Sequence, residues 1–264
     1  MGFRQGKLQH AYLLHSRPYR DNSRLLNVFT RDEGHISVIA YSSSKGKNNK
    51  AGFLQPFAPL ELELKGDGPL KILGQVEYAQ KSLALKQQQL YSAFYINELL
   101  VRLLPENINA DSLFATYAQT LHALNEGHPI EPTLRYFEIA LLEELGQGLD
   151  FAVVDELALQ HTQSTIPDNA EDEFALKEPS AMYFNQGEYY YHYRSEQGFI
   201  LAENYREARY PGSHLQCIGE LELTDANVLK TCKQLMRQLL NLQLGGKPLH
   251  SRRLFANYLN KGKT

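Results

Sequence analysis

Three lysines within six residues, Lys45, Lys47 and Lys50, stand in the polar run from Ser42 to Lys50, and Arg17, Arg20 and Arg24 crowd another short stretch beside Tyr12 and Tyr19. Ammonium groups on a flexible loop can meet phosphates at variable positions, and guanidinium groups beside aromatic rings join charge to surfaces on which bases stack. A solvated loop explains the lysines equally well, and a place in a strand makes Tyr12 a candidate for core or rim. Lys247, His250, Arg252, Arg253, Lys261 and Lys263 form a further basic cluster. Cations on a last helix also complement its dipole, so this cluster has a second explanation too.

Catalytic patterns are missing by contrast. Gly245-Gly246-Lys247-Pro248 has a Gly-Lys pair but no earlier glycine at phosphate-loop spacing, and Pro248 replaces the metal-binding hydroxyl residue. Neither Gly-x-Ser-x-Gly nor His-Glu-x-x-His occurs. Glu143/Glu144 and Asp172/Glu173 are sequence neighbours; on a helix such neighbours diverge, so neither pair converges on a substrate. Among nine histidines, His192, His214 and His250 fall in different elements without ligand spacing, and two cysteines, Cys217 and Cys232, cannot complete a four-cysteine zinc site. Cys232 reads as a small buried hydrophobe. The expectation is a binding protein without catalytic site, metal or other cofactor.

The elements that must carry the cations follow from periodicity. Over 11–16, 23–30, 35–41, 59–64 and 70–76 the chain alternates, with turn residues between; Leu60-Glu61-Leu62-Glu63-Leu64 keeps a strict period of two and puts three leucines on one face. Five strands in about 80 residues predict a small closed barrel, of which the OB-fold is the commonest kind. From Lys86 the period becomes 3.6. One helix stops before Pro105, a second runs from Asp111 to Gly127, and a third has Pro132 in its first turn and ends before Gly146. Thr162 to Glu178 reads as an acidic surface loop, Met182 to Tyr193 as a hairpin turning at Asn185-Gln186-Gly187-Glu188, Thr224 as the cap of a helix ending at Gly245-Gly246, and Leu249 to Leu259 as a last short helix. The class is therefore α+β: an N-terminal OB-fold barrel, then an all-helical domain with a small β-hairpin insertion. The boundaries expected are 1–80 for the nucleic-acid-binding barrel, 81–150 for the helical domain, 151–200 for the loop and hairpin, and 201–264 for C-terminal helices packed on the helical domain.

With 264 residues, 43% hydrophobic and 22% charged, the chain can bury one large core or several small ones. Its net charge of −3 conceals a division: residues 1–80 carry 11 Lys/Arg against 7 Asp/Glu, residues 131–180 carry 2 against 12, and residues 181–264 carry 11 against 7. Basic ends around an acidic middle fit a protein that touches polyanions with part of its surface, although separately solvated faces give the same count. No apolar stretch is long enough to span a bilayer, no apolar leader opens the sequence, and no Asn-x-Ser/Thr sequon occurs. A soluble, cytoplasmic protein in a reducing compartment is the expectation.

Several local motifs, taken in order, carry a resemblance. Ala11-Tyr12-Leu13-Leu14-His15-Ser16-Arg17-Pro18-Tyr19, Phe29-Thr30 before an acidic glycine turn, Leu54-Gln55-Pro56-Phe57 and Tyr95-Ile96-Asn97-Glu98-Leu99-Leu100 are followed by Leu134-Arg135-Tyr136-Phe137-Glu138 with Leu141 to Gly146, and by Leu244-Gly245-Gly246-Lys247-Pro248-Leu249 with Ser251-Arg252. Together they resemble the RecO family of bacterial recombination mediators across nearly the whole chain. That resemblance implies an OB-fold, a helical domain and no catalytic site. It further implies binding of single- and double-stranded DNA, annealing of complementary strands, contact with the acidic C-terminal tail of single-stranded-DNA-binding protein, cooperation with RecR in loading RecA, and a bacterial, nucleoid-associated location. Many members carry a four-cysteine zinc module where residues 150–200 contain no cysteine, so this chain resembles the zinc-free branch and no zinc is expected.

On these grounds Arg17, Arg24, Lys45, Lys47, Lys50, Arg252 and Arg253 are the expected DNA contacts, because an annealing protein must neutralise phosphates without gripping bases. Arg135 is the expected contact for the partner tail, at the edge of a small apolar groove; a helix-surface ion pair with Glu131 or Glu138 competes for the same side chain. The rival function is a generic OB-fold scaffold that binds a protein or RNA; a nuclease using paired carboxylates is a weaker third.

Overall fold

Alternation builds the first part of the computed structural model, which describes residues 8–20, 22–41, 52–164, 188–204 and 206–261. Strands β1 (Leu8–Pro18), β2 (Ser23–Thr30), β3 (Gly34–Tyr41), β4 (Leu60–Lys65) and β5 (Leu70–Tyr78) close a barrel in the order β1-β2-β3-β5-β4, with β3 and β5 parallel and the other pairs antiparallel. Inward residues alternate along every strand: Ala11 and Leu13, Leu26 and Val28, Ile36, Val38 and Ala40, Leu60, Leu62 and Leu64, and Leu73 form one core. Leu62 is fully buried, and cutting it to alanine would cost about 2–5 kcal/mol. The β2–β3 turn depends on Gly34, whose φ of 71° suits glycine and whose missing Cβ leaves room for the Ile108 carbonyl.

The helices α1 (Gln87–Leu103), α2 (Asp111–Glu126) and α3 (Ile130–Glu144) follow the 3.6 period, and α2 ends at Gly127 in the left-handed conformation, as expected of a stop glycine. They cover part of the barrel's outer face. Tyr12 and Phe29, neighbours on that face, pack tilted or edge-on against Phe114 and Tyr117 of α2 at centroid distances of 5.1–5.8 Å. Buried Asn97 ties the layers: its Nδ2 donates to the Leu14 carbonyl (3.0 Å) and its Oδ1 accepts from the Tyr117 hydroxyl (2.6 Å). His35, also buried, donates from Nδ1 to the Leu104 carbonyl at 3.0 Å and accepts at Nε2 from Asn27 at 3.3 Å.

The chain divides into two units. One comprises residues 1–145 with 243–264, the other residues 146–242. In the first, α7 (His250–Lys261) packs on α1 through Glu98, whose carboxylate accepts from the amides of His250 and Ser251 (each 2.8 Å) and from the Ser251 hydroxyl (2.6 Å). Burial raises the Glu98 pKa, but these donors and the Arg102 charge outweigh it and hold the carboxyl below its ordinary value. A glutamate of α1 thus caps the first turn of α7.

The second unit contains α4 (Ala152–Ser164), β6 (Tyr190–Arg194), β7 (Gly198–Leu201), β8 (Tyr210–Pro211), α5 (Gly212–Gly219) and most of α6 (Ala226–Gln243), the three strands ordered β7-β6-β8. Two local expectations are revised and a third lies largely outside the described residues. Residues 162–164, expected in a loop, complete α4. The described hairpin reverses between Arg194 and Gly198, whereas most of the expected turn at 185–188 lies outside the described residues. Asp225, not Thr224, caps α6: its carboxylate accepts from the amides of Val228 and Asn227, and those bonds lower its pKa. Cys232 is fully buried, as a small hydrophobe should be.

Candidate nucleic-acid interface

Strand register decides which barrel cations share a face, because directly paired residues point the same way. Arg17 pairs with Leu25, Leu25 with Ile39 and Ile39 with Ile72, so these four form one outward row across β1, β2, β3 and β5. The next row is His15, Asn27, Ser37 and Leu70, and Tyr41 follows Ile39 on the same face. Here the helical layer does not cover the barrel: Tyr41 is 56% exposed, Leu70 41% and Ile72 40%. Arg17 is exposed and has no ion-pair partner among the described residues. An apolar row with this guanidinium at its end offers a polyanion a charge contact and an uncharged surface for bases.

Arg24 points the other way. It pairs with Pro18 and Ala40 on the inward column at the barrel's end, and its Nε donates to Ser16 Oγ at 2.7 Å. Arg17 and Arg24 therefore edge two different faces. Tyr19 is not a free ring, since the Arg20 guanidinium stands 5.3 Å from its centroid. Lys45, Lys47 and Lys50 lie outside the described residues. On α7, Arg252 stands 5.8 Å from the Tyr95 centroid, and Arg253 is exposed.

Arg135 stands elsewhere than at an open groove edge. Only 8% exposed, it donates from Nη2 to Glu138 Oε1 at 2.7 Å, and the Tyr95 hydroxyl donates to the same oxygen at 2.6 Å. The Glu138 competitor for this side chain is thus present, buried between α1 and α3. Burial and the Glu138 charge raise the Tyr95 pKa, so its hydroxyl stays a donor. Exposed Tyr136 is its chain neighbour.

Sequence reasoning singled out Arg17 but not Leu25, Ile39, Tyr41 and Ile72, which share its face. The signal was available: a half-buried strand should alternate, yet Leu25 precedes inward Leu26 and Ile39 follows inward Val38. No group of three or more potential metal ligands occurs among the described residues, and no described helix is long and apolar enough to cross a membrane.

Comparison with known proteins bears on the same elements. The family model described as Recombination protein O N terminal matches residues 7–81, which span the barrel, and its C-terminal counterpart matches residues 87–153. The chain is 39% identical to the DNA repair protein RecO of Cellvibrio japonicus over 250 residues, covering 94% of this chain and 96% of that one. It is 36% identical to that of Photobacterium profundum over 248 residues (94% and 95%) and 35% identical to that of an Enterobacter species over 254 (96% and 98%). The chain belongs to the RecO family. Membership places it among DNA repair and recombination proteins, and the RecO N-terminal OB-fold is the closed barrel whose outward face carries Arg17. The RecO C-terminal match takes in α1 to α3, the layer that covers Tyr12 and Phe29 and leaves Ile72 exposed.

Proposed function

We propose that the chain is a recombination mediator that binds single- and double-stranded DNA, anneals complementary strands and, with RecR, helps load RecA onto DNA coated by single-stranded-DNA-binding protein. The observation that carries this reading is the outward row of half-buried Leu25 and Ile39 and exposed Ile72, ending in Arg17, which has no ion-pair partner among the described residues. An apolar row with one cation among its described residues suits annealing, which requires strands to be neutralised yet left free to pair. Arg24, Lys45, Lys47, Lys50, Arg252 and Arg253 extend the phosphate contacts in this account, and no group in it acts as nucleophile or general base. The work is done in the bacterial cytoplasm on the nucleoid.

The acidic C-terminal tail of single-stranded-DNA-binding protein docks, in this proposal, on the helical layer at Arg135 and Tyr136. Support comes from the exposed Tyr136 ring, behind which the buried Arg135 guanidinium adds positive charge. The Glu138 charge opposes that docking, so the affinity should rest on the ring as much as on the guanidinium.

Binding of a fluorescent oligonucleotide across a salt series tests the barrel assignment. Arg17→Gln should lower affinity without sequence preference and reduce the slope of log K against log salt by about one. Ile72→Asp should weaken binding while the fold persists. An unchanged slope in Arg17→Gln, with Ile72→Asp binding normally, contradicts the assignment. Preference for RNA over DNA, or for neither, would favour the scaffold reading, which an apolar row also suits.

A further inference from the structure

The second unit holds a recess that the barrel account leaves unused. Along α6, Gln234, Arg237, Gln238 and Asn241 recur at i, i+3, i+4 and i+7 and so share one stripe beside the helix's apolar face. That stripe, with His192 of β6 and with Arg209 and Tyr210, lines a recess of about 490 Å³. Its wall is held in place: the Tyr210 hydroxyl donates to Gln238 Oε1 at 2.6 Å, and Gln238 Nε2 donates to the Tyr193 carbonyl at 2.9 Å. Arg209 and Arg237 are exposed and have no ion-pair partner among the described residues. Both ring nitrogens of His192 are buried and lack a hydrogen-bond partner among those residues. The half-buried His192 ring lines the recess with the two guanidinium groups, so it reports on what binds there.

We propose that this recess binds a phosphate group carried on a nucleotide or on a nucleic-acid strand. Neither carboxylate nor aliphatic side chain lines it among the described residues, which suits an oxyanion and not an acidic peptide with an apolar end. Two guanidinium forks match phosphate oxygens bidentately, and the exposed Gln234 amide adds a further donor. The volume falls within the roughly 300–1,000 Å³ of small-molecule sites and so admits the attached sugar. The assignment concerns the second unit alone and stands or falls independently of the barrel face.

The test uses the full chain with nitrogen-labelled histidines, the His192 ring signal being identified by His192→Gln. Inorganic pyrophosphate is titrated first, then a mononucleotide, then a short oligonucleotide with and without a 5′-phosphate. A saturable change at the His192 ring is expected, weakened about 10-fold or more in Arg209→Gln and in Arg237→Gln. Both variants replace exposed side chains, so their melting temperatures should match the parent's. A stronger response to the 5′-phosphorylated strand than to its hydroxyl counterpart identifies a strand end as the source; a response to the mononucleotide with no gain on the strand identifies a free nucleotide. Absence of a saturable change with every phosphate probe, or parental affinity in both arginine variants, overturns the proposal.

Discussion

Arg135→Ala is expected to act first on stability. Glu138 is 1% exposed, and its Oε1 accepts from Arg135 Nη2 at 2.7 Å and from the Tyr95 hydroxyl at 2.6 Å. Removing the guanidinium leaves a buried carboxylate facing a hydroxyl, and breaking a buried pair in this way costs about 3–5 kcal/mol. The Arg252 guanidinium, 5.8 Å from the Tyr95 ring centroid, supplies some compensating charge and favours the lower half of that range. Urea unfolding should therefore show a loss of about 3 kcal/mol, a large share of an ordinary domain's stability. Replacing the cluster as a whole with Arg135→Met, Glu138→Leu and Tyr95→Phe removes charge and hydroxyl together and should recover most of that loss. Tail-peptide affinity is then compared between parent and triple variant, which separates a lost contact from a lost fold. A loss below about 1 kcal/mol in Arg135→Ala, or an equal loss in the triple variant, would refute the view that an ion pair inside the helical layer governs this site.

The other predictions concern how the first unit is held together. Glu98→Ala should release the first turn of α7, at about 1–2 kcal/mol, and speed exchange of the His250 and Ser251 amides. Because hydrogen bonds and Arg102 hold the Glu98 carboxyl below its ordinary pKa, its contribution is complete above about pH 4.3 and fades as pH falls through the lowered folded value. Protection of those two amides should therefore be unchanged from neutrality down to that point and drop below it. Asn97→Leu strips partners from the Leu14 carbonyl and the Tyr117 hydroxyl, and thermal unfolding should show a loss of about 2–4 kcal/mol.

Much of the fold was legible because period and burial coincide. Leu60, Leu62 and Leu64 alternate and are buried; α1 stops before Pro105, and α2 stops at Gly127. Elements α4 and α5 escaped because one opens a polar, acidic stretch and the other is eight residues long, too few for a period to show. The site was less legible, and for a different reason. Whether an arginine is free depends on what lies opposite, and Arg17 with Arg24, seven residues apart, are sent to opposite faces by strand register. Arg135 was readable as part of a motif with Glu138 as a competing partner, but Tyr95, which shares the Glu138 carboxylate, lies 43 residues from it, a distance that no local pattern spans. The Glu98 cap likewise joins residues more than 150 positions apart.

The central claim is that this chain brings strands together on coated DNA. Annealing of two complementary oligonucleotides, each covered by the cognate single-stranded-DNA-binding protein, should be followed with and without the chain at low and moderate salt. The account predicts acceleration that survives the coating, declines as salt rises, and is reduced in Ile72→Asp. Acceleration of bare strands alone would contradict the mediator reading and leave a nucleic-acid-binding barrel without the proposed partner.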